Sequence, residues 1–217
     1  MLSLFLRRGR KAACSRLRVR RMLGTSSDDS ELEYQELRQL KDIKSAEFYE
    51  QEGEKRNYFY YVDLQGRLFL EDMVPKNIAT SLKSDKFLNF FFRQLRYNNT
   101  AEFTEYPYVS PCGKEMNFIK SADLPFVFLD YDEAKKTLSW GHSLTIPFQP
   151  DRLELSVETG RLYHPFFSRK RVEGDEEVGL LKSHLAIRFS ECISECEDTG
   201  SWAFEWENAS YPIKVRP

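Results

Sequence analysis

The sequence predicts an α+β fold, a largely antiparallel and strongly bent β-sheet with one main amphipathic helix, over about residues 84–97, packed on one face. Three observations predict it. Short aromatic and β-branched runs recur from Tyr58 onward, separated by clusters of turn residues. Three of those turns share one form: apolar strand, short turn, glycine, cation, strand. They run from Val62 through Gly66 to Arg67, from Val109 through Gly113 to Lys114, and from Val157 through Gly160 to Arg161. Recurrent hairpin chemistry explains that likeness better than duplication of an ancestral unit. Only Ser84 to Tyr97 carries a clear helical period: Phe87, Leu88, Phe91, Phe92 and Leu95 fall on one wide face.

The elements follow in order. Residues 24–56 are rich in Glu, Gln, Lys and Ser, with only Leu37, Leu40 and Ile43 as a thin apolar stripe. Ser30 and Glu33 fit a capping box, so the segment reads as partly helical or mobile. Tyr58–Val62 and Arg67–Glu71 form a hairpin around Asp63-Leu64-Gln65-Gly66. Ser84 caps the helix, Asp85 suits its first turn, and Asn98-Asn99 ends it. Phe103–Val109 and Met116–Ile119 read as strands around the Gly113 turn, and Leu124–Tyr131 as a buried strand. Thr137–Trp140, Leu144–Phe148 and Leu153–Val157 follow as further strands. Residues 168–178 read as a charged, solvated loop. Leu180–Phe189 alternates apolar and polar residues and is expected to be a strand, as are Trp202–Glu207 and Tyr211–Val215.

At 217 residues, with 41% hydrophobic and 30% charged, the chain suits one globular domain with a tail, and neither a collagen-like nor a coiled-coil chain. Its longest apolar runs are a handful of residues, far short of the roughly 20 that a spanning helix needs. The net charge of −2 is uneven. Residues 1–27 hold eight basic side chains and no acid; the remaining 32 − 8 = 24 cations face 34 acids, giving −10 from Asp28 onward. An Arg-rich, acid-free start with Leu2, Leu4, Phe5, Leu6, Leu17 and Val19 has the composition of a mitochondrial transit peptide. Its apolar residues precede most of its cations, which argues against a secretory signal. Arg20-Arg21-Met22-Leu23 before Gly24-Thr25-Ser26-Ser27 places the cut within about residues 22–27. The expected organisation is a presequence over 1–23, a polar segment over 24–56 and one α+β domain over 57–217, in the mitochondrial matrix. The acidic mature chain disfavours a nucleic-acid partner, which needs a basic face. Removing Cys14 leaves Cys112, Cys192 and Cys196, an odd number that does not read as a disulfide framework.

No Gly-x-Ser-x-Gly, phosphate loop, dinucleotide fingerprint or His-Glu-x-x-His occurs. The densest reactive segment is Ser110 to Asn117. There, a thiol at Cys112 beside the Gly113 turn and Lys114 could favour the thiolate, with Glu115 as a base and Asn117 as an orienting donor. The bland reading, a hairpin turn with an inert cysteine, weighs more. His164 lies near a strand end after Arg161, where clefts form, but no partner for it is identifiable from sequence. Cys192 and Cys196 are spaced i,i+4 and share a face, yet a metal site would need further ligands. The aromatic residues read as core rather than as a base-stacking platform.

Tyr58-to-Leu70, Lys86-to-Arg96, Ser110-to-Phe118, Pro147-to-Leu153 and Gly160-to-Pro165 together resemble an uncharacterised family of animal proteins of unknown function, over roughly residues 57–166. The resemblance implies a mitochondrial setting and brings no activity, cofactor or catalytic residue. The leading expectation is a non-enzymatic binding or accessory protein that takes a protein partner or small ligand, with no cofactor and no membrane insertion. A cysteine-dependent enzyme using Cys112, Glu115 and His164 is the alternative, with Gly113, Asn117 and Arg161 as ligand contacts. A metal-stabilised domain using Cys192 and Cys196 is the second.

Overall fold

A computed structural model describes residues 43–166, 177–196 and 200–216. The Arg-rich segment, its cutting site, the Ser30–Glu33 capping box and most of the charged loop at 168–178 lie outside them. The fold is α+β and mostly antiparallel, but it holds two sheets rather than one, and three helices among the described residues. In order these are α1 (Ala46–Glu54), β1 (Asn57–Val62), β2 (Leu68–Leu70), α2 (Asp85–Gln94), β3 (Arg96–Tyr97), β4 (Tyr108–Cys112) and β5 (Glu115–Ser121). Then come β6 (Val127–Asp132), β7 (Thr137–Trp140), β8 (Leu144–Pro147), a 3₁₀ turn (Pro150–Arg152), β9 (Glu154–Ser156) and β10 (Arg161–Phe166). Last are β11 (Glu177–Leu181), α3 (Ser183–Ser190), β12 (Ile193–Cys196), β13 (Ser201–Trp206) and β14 (Ala209–Arg216).

The first sheet has the order β2-β1-β5-β4-β3 and the second β12-β13-β14-β9-β10-β11-β6-β7-β8. Three pairs are parallel, β1 with β5, β14 with β9 and β11 with β6. All three glycine turns close antiparallel hairpins, and Gly66, Gly113 and Gly160 all have positive φ, between 65° and 73°. That is the left-handed region where a missing Cβ matters.

Period-two alternation gives the first sheet two apolar faces. Tyr60, Val62, Leu68, Tyr108 and Ile119 join one continuous core with α2 and the inner residues of the second sheet. On α2, Leu88, Phe91 and Phe92 are buried as the spacing predicts, each contributing about 1.5–3 kcal/mol of apolar burial. The opposite face carries Phe59, Val109 and Phe118, which pack with Tyr106 and Phe103 of the segment before β4 and with Phe48 and Tyr49 of α1. Buried Glu71 ties this layer together. It accepts from Tyr106 Oη at 2.5 Å and Tyr49 Oη at 2.9 Å, and pairs with Lys120 Nζ at 3.1 Å. Burial is the main cause that pushes both tyrosine hydroxyls up, so they stay neutral donors.

Three expectations are corrected. The helix stops at Gln94, not 97: Leu95 turns extended (φ −60°, ψ 133°), and Arg96–Tyr97 pair with Tyr108–Val109. Residues 98–107 form a loop rather than a strand that begins at Phe103. The Asn98 side chain donates to the carbonyls of Glu102, Phe103 and Tyr106, and Phe103 takes φ +47°. Residues 183–190 are a helix, not a continuation of β11. Leu185 and Phe189 are buried one helical turn apart, while Ile187, which a strand would have turned inward with them, is 65% exposed. Among the described residues, no helix is long and apolar enough to cross a membrane.

Candidate functional site

The Cys112 hairpin is built by the β4–β5 register, which sets Ser110 opposite Asn117 and Cys112 opposite Glu115. Ser110 Oγ donates to the Phe91 carbonyl of α2 at 2.7 Å, and Asn117 Nδ2 donates to the Ser110 carbonyl at 2.6 Å. Both side chains are buried, and both serve the backbone. Cys112 Sγ lies 3.6 Å from Ser110 Oγ and packs against the main core. Burial pushes its thiol up, with Glu115 adding to the shift, which opposes the thiolate expected from Lys114 and the turn. Tyr60, near Glu115 and Cys112, is pushed up to about 12, mainly by burial. Gly113 stands in open space at the turn.

His164 lies on β10, in the other sheet, and is completely buried. Its Nε2 accepts the Gln149 backbone N–H at 2.9 Å, and its Nδ1 donates to the Pro165 carbonyl at 2.8 Å. Neither nitrogen is left for a thiol. Burial pulls its pKa down to about 4, so the ring is neutral at pH 7. The structure therefore joins Cys112, Glu115 and Asn117 but gives them no histidine. Cys192 sits in the turn after α3, its thiol pushed up mainly by burial, and the Cys196 side chain lies outside the described residues. Among the described residues, no group of three or more His, Cys, Asp or Glu is placed to hold a metal.

A different constellation forms where the two sheets meet. A pocket of about 150 Å³ is lined by Tyr97 and Tyr108 of the first sheet, by Leu124, Pro125 and Phe126 of the connection, and by Val178 and Arg216 of the second sheet. Tyr97 and Tyr108 are a register pair on β3 and β4, and their rings stack at 5.2 Å between centroids. Arg216 is held from two sides. Its Nη1 donates to Glu154 Oε2 at 2.9 Å, and its guanidinium lies 4.8 Å from the centre of the Tyr163 ring. Buried Glu154 also pairs with Lys214 Nζ at 2.9 Å.

The register explains why these groups share a face. Arg161 and Tyr163 alternate on β10, Lys214 and Arg216 alternate on β14, and β9 between them places Glu154 opposite both Lys214 and Tyr163. Asp123, in the connection leading to the pocket, accepts from Arg161 Nη1 at 2.9 Å and from Tyr163 Oη at 2.8 Å. Burial, then the bond to Asp123, pushes the Tyr163 hydroxyl up, so it remains a donor. Of the sequence candidates only Arg161 belongs to this network. Tyr97, Tyr108, Asp123, Glu154 and Arg216 carry no local signal, because strand pairing brings them together from positions up to 119 residues apart in the chain, from Tyr97 to Arg216 (216 − 97).

A family model described as a domain of unknown function, DUF4505, matches residues 49–216. Two solved structures of DUF1285 family proteins are similar to the chain. The one from Shewanella baltica OS155 is 15% identical, covers 62% of this chain and 91% of its own, and has a TM-score of 0.41. The one from Silicibacter pomeroyi DSS-3 is 14% identical, covers 82% and 93%, and has a TM-score of 0.43.

Proposed function

The chain belongs to the DUF4505 family, and from that premise we propose that it is a non-enzymatic binding protein whose small-ligand site is the pocket at the seam of the two sheets. One observation carries this reading: aromatic rings and a fixed guanidinium converge from both sheets on one concavity. Aromatic ring faces beside a fixed charged group give a ligand a surface to lie on and a point that orients it. The reactive groups support a binding role over catalysis, since the Cys112 thiol is pushed up and the His164 ring is committed to backbone. Titration with millimolar benzyl alcohol, followed by backbone amide resonances, tests the site. Shifts are expected to centre on Tyr97, Tyr108 and Val178 and to vanish in Leu124→Trp, which fills the pocket. Shifts that survive this substitution would place the site elsewhere.

The proposed setting is the mitochondrial matrix, supported by the acid-free, Arg-rich composition of residues 1–27. A reporter fused to residues 1–27 is expected to be imported by isolated mitochondria and shortened near residue 24. Failure of import with an intact membrane potential would remove that support.

A further inference from the structure

The seam pocket has a sign as well as a shape. Arg161, Lys214 and Arg216 face two carboxylates, Asp123 and Glu154, through the ion pairs that fix them. Among the described residues, Asp123 is matched by Arg161 alone, whereas Glu154 is shared by two cations. Among the described residues, one positive charge is therefore in excess beside Glu154, where Arg216 lines the pocket. This excess stands out in a chain whose residues from 28 onward carry −10.

Arg216 is also prearranged. Glu154 takes an N–H of Nη1, and the Tyr163 ring supports the guanidinium plane. A guanidinium has five N–H donors in a fixed fork, and a fork held in place loses little freedom when a second oxyanion arrives. Beside it, Tyr97, 46% exposed and stacked on Tyr108, offers a ring face to a planar group. The volume of about 150 Å³ matches a cavity that holds a single benzene-sized ring.

Resting on the seam pocket as the binding site, we infer that its ligand is a small organic anion, a planar body of about one ring that bears a carboxylate or phosphate. The anion pairs with Arg216 and the body lies against Tyr97 and Tyr108. Charge-assisted forks of this kind form with either oxyanion, so the shared chemistry is the anion beside a ring.

Calorimetric titration of the full chain with benzoate, phenyl phosphate and the neutral isostere benzamide tests the assignment. At least one of the two anions is expected to bind about tenfold or more tighter than benzamide. The tighter of the two identifies the oxyanion class. Arg216→Gln is expected to abolish that preference while leaving benzamide binding in place. Arg216→Lys, which keeps a cation on Glu154, guards against loss of fold and is expected to keep only part of the preference. Tyr97→Ala is expected to weaken all three probes. Equal affinity for benzamide and both anions, cancelled by Leu124→Trp, would overturn the anion assignment and leave the pocket standing. A preference for the anions that persists in Arg216→Gln would also overturn it. Failure of every probe to bind would overturn the pocket reading together with the inference.

Discussion

His164 is held by the backbone on both sides, Gln149 N–H toward Nε2 and the Pro165 carbonyl at Nδ1, and that fixes one neutral tautomer in the core. Its pKa of about 4, against the ordinary 6.5, makes it an acid-sensitive point. Between those two values the unfolded chain binds the proton that the folded chain refuses. Its contribution to stability is therefore complete above pH 6.5 and is lost as pH falls through about 4. The gap corresponds to roughly 3 kcal/mol. Urea denaturation at pH 7, 5.5 and 4 is expected to show the wild type losing more stability than His164→Gln, by up to that amount. Parallel losses in the two proteins would remove His164 from the acid response. The position of His164 near a strand end was legible in the sequence. Its commitment was not, because one partner is a backbone amide 15 residues away whose approach depends on the 3₁₀ turn at Pro150–Arg152. The surroundings of Cys112 were hidden for a related reason. Lys114 is its neighbour in sequence, but the desolvation that raises the thiol comes from the core beneath it.

Hairpins were the most legible elements, since glycine, turn length and flanking strands all lie within a few residues. What the sequence hides is that the three similar turns differ in surroundings. A Cβ at Gly113 or Gly160 would meet nothing within 4 Å, whereas at Gly66 it would lie 2.9 Å from Leu129 Cδ2 and 3.0 Å from Val127 Cβ. The Gly66 turn is pressed against β6 of the second sheet. Asn tolerates the left-handed region better than other side chains. Gly113→Asn and Gly160→Asn are thus expected to change unfolding stability by less than about 1 kcal/mol, and Gly66→Asn to cost about 1–3 kcal/mol through overpacking. Equal costs at all three positions in chemical denaturation would show that φ alone matters. Helix α3 shows the opposite limit of legibility. Leu185 and Phe189 are four residues apart, a step that suits both a helix face and a strand face. Only the exposure of Ile187 separates the two, and exposure is a tertiary property.

The whole molecule is organised by three parallel pairings, β1 with β5, β6 with β11 and β9 with β14, each joining strands about 50–60 residues apart in the chain. A parallel pair cannot be closed by a tight turn, so no local motif announces it. The expectation of a single bent sheet failed at this point, and the seam pocket, a product of the same long-range pairing, was invisible with it. The pairing also decides how the protein comes apart. Tyr60, Val62 and Ile119 of the first sheet share one core with Phe128, Leu138, Leu162 and Phe204 of the second, with α2 packed into it. Separating the sheets would expose buried rings on both sides, at a cost of about 1.5–3 kcal/mol for each large side chain. The faces turned to the seam are therefore kept only together, and the two sheets are expected to unfold together. The three tryptophans, Trp140, Trp202 and Trp206, all lie on strands of the nine-stranded sheet, so their fluorescence follows that sheet alone. Far-ultraviolet circular dichroism follows both. In urea the two signals are expected to share one midpoint and one slope. A circular dichroism transition that begins before the tryptophan signal moves would mean that the five-stranded sheet opens independently, and that the core drawn across the seam does not hold the halves together.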